Sequence, residues 1–449
     1  MAATQNKMTV TQLTILTAVN MIGSGIILLP AKLAQVGTIS IFSWLITAGG
    51  SLALAYAFAR CGMLSRKPGG MGGYAEYAFG KAGNYMANYT YGLSLVIANV
   101  AIAITAVGYG TVLFGATLTP LQTGLWTIVL LILTTVANFG GAQITGRIGA
   151  VTVWGVIIPV VIVSLLGWFW FSGSTWAAAW NPHNLEFLPA VGGSISITLW
   201  AFLGLESACA NADAVENPER DVPIAVLGGT IAAAIIYISS TNVIAGMIPN
   251  AELAASNAPF GLAFATMFNP FIGSIVTALM VIACIGSLLG WQFTVAQVFK
   301  SSADVGYFLP IFGKATKTGT PIVCMLILLV AQVALALMTI SPELTSQFQK
   351  VVDLAVVTNL VPYVMSMAAL ITIQKISGVP AGKALVTNIV AMIATAYSFY
   401  ALISSGQQAL MLGGLSVFLG WTLFGFVSAR FYRMEVEAHV KDPGKSLQA

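Results

Sequence analysis

The sequence predicts an all-α polytopic membrane protein with twelve transmembrane helices. Of its 449 residues, 58% are hydrophobic and only 7% are charged, whereas soluble domains carry about a quarter charged residues. Apolar runs of about 20 residues are long enough for helices to cross a bilayer. Backbone polar groups in lipid must be satisfied internally, as a helix does. The composition therefore indicates the lipid bilayer as surroundings, and the net charge of +4 supports no nucleic-acid partner.

The predicted spans are windows of about 20 predominantly apolar residues. They fall near 10–35, 40–62, 84–113, 121–142, 148–172, 190–212, 223–247, 270–300, 321–340, 347–373, 382–403 and 407–430. Twelve spans place both ends of the chain on one side of the membrane.

The distribution of basic residues predicts on which side of the membrane both chain ends lie. All but two of the 18 lysines and arginines, Lys32 and Lys350, fall on the side of the N-terminus. Cytoplasmic loops carry the excess of basic residues, so we expect cytoplasmic N- and C-termini. The N-terminus has no signal-peptide cleavage pattern, so the first span is expected to stay in the protein.

Two of the predicted spans are interrupted by glycine. The first contains Gly23-Ser24-Gly25, and the sixth contains Gly204, about 180 residues later. Five spans separate the breaks, and an odd number reverses direction, as in two inverted repeats. We predict a first repeat over 1–172, a second over 190–373, two further spans over 382–430 and a cytoplasmic tail over 431–449.

Glu206 lies inside the apolar sixth span. A carboxylate at membrane depth costs roughly 2.5 kcal/mol or more and normally faces a cavity or a partner. It could hold a substrate ammonium group, bond to unwound backbone, or relay protons. Trp200, one and a half turns earlier, and Trp291 in span eight offer indole faces that attract alkylammonium groups. These features together indicate a carrier for a small cation.

Other polar residues allow more than one interpretation. The Gly23–Gly25 break could hold a carboxylate on exposed N–H groups or merely allow close helix packing. Asn99 in span three could bond substrate or a broken helix. Asp353, near the outer end of span ten, could pair with Lys350 or meet diamines in an outer pathway.

Three residues are candidates for a cytoplasmic pathway. Lys300 and Tyr307 flank the exit from span eight, and Cys61 ends span two. An orientation charge is the simplest role for Lys300, and packing is the simplest for Cys61. The four cysteines and two histidines lack metal-ligand spacing, so we expect no metal site and no disulfide. We also expect no cofactor.

The order of these motifs resembles that of the basic amino-acid/polyamine antiporters of the amino acid–polyamine–organocation superfamily. Its pattern of Gly-Ser-Gly in span one and Trp-x-Phe-x-Gly-x-Glu-Ser in span six matches 23–25 and 200–207. Further matching strings are Gly72-Gly-Tyr-Ala-Glu-Tyr-Ala-Phe-Gly80, Trp154-Gly-Val-Ile-Ile-Pro159, Val215-Glu-Asn-Pro-Glu-Arg220 and Leu289-Gly-Trp-Gln-Phe293. The similarity runs from about residue 7 to 430.

The resemblance implies a LeuT-like five-plus-five inverted repeat with broken helices 1 and 6 and alternating access. It also implies exchange of cytoplasmic putrescine for external ornithine across a bacterial inner membrane. Net proton-coupled putrescine uptake is a second mode, and exchange linked to decarboxylation would resist acid stress. The implied substrate-binding residues are Met21, Gly23, Ser24, Gly25, Leu95, Asn99, Trp200, Leu203, Glu206, Trp291 and Ala355.

Several alternatives stay open. The same fold could exchange lysine for cadaverine or arginine for agmatine, although Ala355 stands where the arginine:agmatine relatives have a hydroxyl. A proton-coupled amino-acid symporter would need no counter-substrate. A channel and an enzyme fit less well, because the spans contain neither a repeated charged ring nor a nucleophile–base pair. The sequence is compatible with a monomer and with a homo-oligomer.

Overall fold

The computed structural model describes residues 9–67, 69–206, 217–317 and 319–441, and throughout these ranges the secondary structure is helical. The α-helices are α1 Val10–Met21, α2 Leu29–Val36, α3 Ile41–Leu64, α4 Met71–Leu113, α5 Pro120–Ala137, α6 Ala142–Thr152, α7 Trp154–Leu166, α8 Gly173–Ala178, α9 Phe187–Gly192, α10 Ile195–Phe202, α11 Pro218–Met247, α12 Asn250–Ala254, α13 Pro259–Met267, α14 Pro270–Asp304, α15 Ile322–Met338, α16 Leu344–Ile376, α17 Ala381–Ser404 and α18 Gln407–Lys441.

The helices confirm an all-α polytopic membrane protein. Nine helical segments in the described part of the chain are long and apolar enough to cross a bilayer. Shorter apolar segments, Val10–Met21, Phe187–Phe202 and Ile322–Met338, occupy the three remaining predicted windows. The count of twelve spans stays a prediction. Residues 207–212 of the sixth window and 442–449 of the predicted tail lie outside the described residues.

The first predicted span is two helices separated by a short turn. A capping box of Thr9 and Gln12 starts α1, which ends at Met21. A 3₁₀ turn, Ser24–Ile26, follows before α2 begins. Glycine costs about 1 kcal/mol in a helix interior relative to alanine, so Gly23 and Gly25 favour an interruption at this place.

The second interruption follows α10. Gly204 has a φ of +105°, which a residue with a side chain rarely adopts. A Cβ at this position would also lie 3.2 Å from the carbonyl oxygen of Asn20, the last-but-one residue of α1. The two interruptions therefore touch each other through backbone atoms.

The third predicted span begins earlier than the hydropathy suggests. The helix starts at Met71 rather than near residue 84, and Gly80 is non-helical inside it, with φ 62° and ψ −160°. Residues 71–79 thus form a separate helical segment ahead of the span. Glu76 and Lys81 lower the local hydropathy, which is why an apolar window misses this segment.

The centre of the bundle is formed by α4 and α16, which pack against each other, with α14 packed on α4. The most apolar windows of α4 and α16 are each 72% buried, whereas that of α18 is 17% buried. Helices that are hydrophobic all round and buried belong to the interior of a large bundle. The two central helices are therefore placed to contribute to any internal site, and α18 is a peripheral helix.

Two adjacent glycines in α3 test this packing. A Cβ at Gly50 would lie 2.1 Å from the ring of Tyr397 on α17, whereas one at Gly49 would meet nothing within 4 Å. We expect Gly50→Ala to destabilise the protein by about 1–3 kcal/mol through overpacking. Gly49→Ala should be neutral or slightly stabilising. Thermal unfolding of the purified variants in detergent measures both, and equal melting temperatures would contradict the α3–α17 contact.

Candidate functional site

A small cavity of about 50 Å³ lies between the two helix interruptions. Residues from α1, α4, α10, α14, α16 and both interruptions line it: Asn20, Met21, Gly23, Gly25, Ser94, Leu95, Ala98, Ile102, Trp200, Leu203, Gly204, Glu206, Trp291 and Asn359. We call this space the central cavity. Eight of the residues predicted for substrate binding are among these: Met21, Gly23, Gly25, Leu95, Trp200, Leu203, Glu206 and Trp291.

Glu206 provides the negative charge of the central cavity, and its side chain is 8% exposed. The carboxylate oxygen Oε2 accepts a hydrogen bond from the Gly204 amide at 3.1 Å and another from the Tyr363 hydroxyl at 2.5 Å. The hydroxyl of Tyr91 also contacts this carboxylate. Hydrogen-bond donors to a carboxylate lower the free-energy cost of burying its charge. The site is thus built to keep a carboxylate beside an internal cavity.

Two indole rings complete the walls. Trp200 is 6% exposed and packs edge-to-face on Phe348 of α16, with ring centroids 6.4 Å apart. Its Nε1 atom has no hydrogen-bond partner among the described residues. Trp291 is half-buried, and its ring end would meet a Cβ placed on Gly204. Aromatic faces next to a carboxylate are the surroundings that alkylammonium groups prefer.

The first interruption supplies backbone to the cavity at Gly23 and Gly25. A Cβ on Gly25 would lie 3.6 Å from the Trp200 indole nitrogen, so the chain passes close to that ring. Ser24 lies in the 3₁₀ turn between these glycines. The first amides of a helical turn lack intrahelical acceptors, which makes this turn suited to an anionic group.

Of the three remaining predicted binding residues, Ser24 has a side chain outside the described structure, and Asn99 and Ala355 do not line the central cavity. Asn99 is fully buried in α4 beside Ala98, and neither amide atom has a partner within the described structure. Ala355 is also fully buried, one turn of α16 away from Asn359. Their proposed contact with substrate remains a prediction.

The sequence reading missed several residues of the site. Asn359 and Ser94 line the cavity and are bonded to each other at 3.0 Å, and Tyr363 and Tyr91 contact Glu206. Polar residues on one face of a predicted span could have indicated them: Asn359 and Tyr363 are one turn apart in α16. That spacing alone does not say which cavity the face meets.

Asp353 lies farther out along α16, toward the end of the molecule where α10 and α16 begin. Its carboxylate accepts hydrogen bonds from Ser196 of α10 and Gln349, both at 2.6 Å. The expected alternative, a pair with Lys350, is not what the structure shows, since Lys350 is exposed and Asp353 is bonded to these neutral groups. Asp353 therefore ties α10 to α16.

The three cytoplasmic-pathway candidates lie away from the central cavity. Lys300 forms an ion pair with Asp304 at 2.6 Å, and buried Cys61 contacts the carbonyl of Ser366 at 3.7 Å. Tyr307 donates a hydrogen bond to Glu76 at 2.9 Å. Burial, together with this bond to a carboxylate, raises the pKa of Tyr307, so the hydroxyl remains a donor.

Glu76 is the centre of this inner group, although the sequence reading assigned it no role. Lys67 pairs with it at 2.7 Å and Asn84 donates to it at 2.8 Å, besides Tyr307. The group joins the segment before Gly80 to the loop after α14. It lies at the end of the bundle opposite Asp353.

A larger cavity of about 400 Å³ adjoins the central one between α1, α6, α7 and α14. The two cavities share Asn20, Gly23 and Trp291. Small residues, including Gly149, Gly286 and Gly290, form much of its lining. Trp291 thus lines both the central cavity and this wider space.

The described residues contain no group of three or more His, Cys, Asp or Glu side chains placed to hold a metal ion. What the site offers is one buried carboxylate, tyrosine hydroxyls, two indole rings and glycine backbone. This set can bind a small organic cation by charge, hydrogen bonds and aromatic faces.

Comparisons with known proteins agree with this chemistry. Residues 8–426 match the family model described as amino acid permease. The chain is 67% identical over 429 residues to the putrescine transporter PotE of Escherichia coli K12, covering 96% of this chain and 98% of that one. It is 64% identical over 431 residues to the Haemophilus influenzae Rd protein of the same name, covering 96% and 99%.

A more distant relative is the cadaverine/lysine antiporter of Escherichia coli K12, which is 34% identical over 366 residues, or 80% of this chain and 82% of the relative. The relatives are transporters by name, and the family match covers most of the chain, including both helix interruptions. This chain belongs to the amino acid permease family.

Proposed function

We propose that this protein is a secondary active antiporter that exchanges cytoplasmic putrescine for external ornithine by alternating access. It acts in a bacterial inner membrane with both chain ends in the cytoplasm, and it needs no cofactor. The observation that carries the proposal is Glu206, a buried carboxylate in the central cavity between two interrupted helices. Relatives at 64–67% identity that are named putrescine transporters support the choice of diamine.

The cavity suits one end of a diamine. An ammonium group that leaves water requires a charged acceptor, and the Glu206 carboxylate, which accepts hydrogen bonds from Tyr363 and the Gly204 amide, offers one. Trp200 and Trp291 cover the methylene chain, which gains free energy by burial at about 0.8 kcal/mol per CH₂ group. The amide of Asn99 is buried without a partner in the described structure, so it is available to hydrogen-bond a substrate in a substrate-bound state.

Ornithine needs one more feature, an acceptor for its α-carboxylate. The backbone at Gly23–Gly25 lines the same cavity, and helical N–H groups favour an anion. Broken helices in other transporters use this arrangement for a substrate carboxylate. We therefore assign the amino-acid head to the first interruption, with Met21 and Ser24 at its sides, and the side-chain ammonium to Glu206.

Alternating access requires two units that move against each other. We propose that residues 1–172 and 190–373 are the inverted repeats, because each contains an interrupted helix at its start and the interruptions meet at Gly204. Cys61, Lys300 and Tyr307 would border the cytoplasmic pathway and Asp353 the outer one. Proton-coupled putrescine uptake is a second proposed mode, since Glu206 is a buried acid.

Counterflow into proteoliposomes tests the exchange. Vesicles loaded with unlabelled putrescine should accumulate labelled external ornithine, whereas empty vesicles should not. External putrescine should compete more strongly than cadaverine or agmatine. Equal uptake into empty vesicles would replace the antiporter by a uniporter or symporter. Stronger competition by cadaverine would favour the lysine:cadaverine pair, which the 34% identical relative supports.

The exchange should also respond to membrane potential. Putrescine carries two positive charges and ornithine a net one, so each cycle moves one charge outward. An interior-negative potential of 100 mV opposes this by about 2.3 kcal/mol, which shifts the equilibrium substrate ratio about 50-fold. Ornithine uptake into putrescine-loaded vesicles should therefore be slower under a potassium–valinomycin potential of that sign. Putrescine–putrescine exchange moves no net charge and serves as the control, and an equal response of both reactions would contradict the stoichiometry.

Glu206→Gln tests the acid while keeping its shape. Loss of the charge partner of a buried ammonium costs about 3 kcal/mol, so putrescine uptake below saturation should fall roughly 100-fold. Glu186→Gln, which changes an exposed acid ahead of α9, should leave uptake unchanged. Initial rates in proteoliposomes with equal amounts of folded protein provide the comparison. Near-normal uptake by Glu206→Gln would remove this acid from the mechanism.

A further inference from the structure

A second charged group lies outward of the central cavity. Asp353 accepts a hydrogen bond from Ser196, which is one helical turn before Trp200 in α10. Asp353 itself is six residues, or about 9 Å of helix, before the cavity residue Asn359. This carboxylate is therefore not part of the central site, but lies about one and a half helical turns from it, toward the start of α16.

Lys32 on α2 is the cation of this group. Its side chain is only 4% exposed, and its ammonium donates to the amide oxygen of Gln35 at 2.7 Å. The carboxylates whose charges act on it are Asp353 and Glu343. Burying a lysine is costly unless an opposite charge compensates it. We call Lys32, Asp353, Ser196, Gln349 and Glu343 the outer layer.

The partners of the two charges are neutral. Lys32 is hydrogen-bonded to an amide and Asp353 to a hydroxyl and an amide. The ammonium and the Asp353 carboxylate attract each other through space without a direct hydrogen bond between them. Such a pair is weaker than a contact pair, so a free ammonium that reached Asp353 directly would bind it in preference to Lys32.

A third cavity, which we call the outer cavity, borders this layer. It measures about 630 Å³, and its lining includes Gln35, the partner of Lys32, and Glu343, one of the two carboxylates. Much of the remaining lining is polar, with Thr111, Thr123 and Asn257. The cavity thus borders the layer at Gln35 and Glu343, the side from which an external cation would approach it.

We propose that the outer layer is an external subsite for alkylammonium groups, whose place Lys32 holds while the site is empty. This inference rests on the proposed transport of cationic amines and adds a step before the central cavity. An arriving ammonium takes Asp353 as its counter-ion and repels Lys32. The attraction between α2 and α16 then weakens, which favours separation of the two helices and opening of the path past Trp200. Lys32 and Asp353 are positioning and capture residues and do not belong to the central site.

The test compares how two opposite charge changes alter putrescine binding at the external and the internal face of the membrane. In Asp353→Asn, the external putrescine concentration for half-maximal exchange should rise about tenfold, as expected for the loss of one charge-assisted hydrogen bond. In Lys32→Gln, the competing cation is removed, and the external putrescine concentration for half-maximal exchange should fall several-fold. The internal value should change less than twofold in both variants. Right-side-out and inside-out vesicles measure the two faces.

Glu252→Gln is the matched control, because Glu252 is an exposed acid on α12 beside the outer cavity but outside the outer layer. It should shift neither value, which excludes a general effect of surface charge. If Asp353→Asn does not fold, Lys32→Gln and the double variant Lys32→Gln/Asp353→Asn carry the test, and the double variant should lose the gain of Lys32→Gln.

The proposed subsite would be overturned if the half-maximal putrescine concentration shifted equally on both faces, or if the external concentration rose in Lys32→Gln. The outer layer would then be only a structural contact. Absence of any amine exchange by the unmodified protein would instead overturn the proposed function, so the two failures are distinguishable.

Discussion

The structure depends on keeping one carboxylate, Glu206, inside a bundle of apolar helices. A charge at membrane depth is costly, and its hydrogen-bond donors come from three places: the Gly204 amide next to it, Tyr363 on α16 and Tyr91 on α4. The first donor exists only because α10 ends before Glu206. The other two require α4 and α16, the most buried of the long spanning helices, to meet at this point. One local charge thus accounts for both the broken helix and the central pair.

Much of this site could be predicted from the sequence because the decisive residues carry local signals. A lone acid in an apolar run and glycines in a span are recognisable without knowledge of the fold. Asn359 and Ser94 gave no comparable signal, because single polar residues occur in many spans and their meaning depends on which helix they face. The segment before Gly80 was missed for a different reason, since its charges place it below the hydropathy of a spanning helix.

The bundle separates its charges into groups along its length. The Glu76 group joins loops at one end through Lys67 and Tyr307, Glu206 lies in the middle, and the Lys32–Asp353 group lies toward the other end. Each group links elements that are distant in sequence. Because each group is held by its own direct hydrogen bonds, one group can be rearranged without breaking the contacts of the others. Such independence is what a carrier with two alternately closed ends requires.

The backbone contact at Gly204 has a mechanical consequence. Its α-carbon lies so near the Asn20 carbonyl that even a methyl group there would come within 3.2 Å of the oxygen. No side chain lies between the two interrupted helices at this point. A displacement of one helix therefore pushes directly on the backbone of the other. We therefore expect the two breaks to move together as one hinge, so that a cargo that touches either break acts on both.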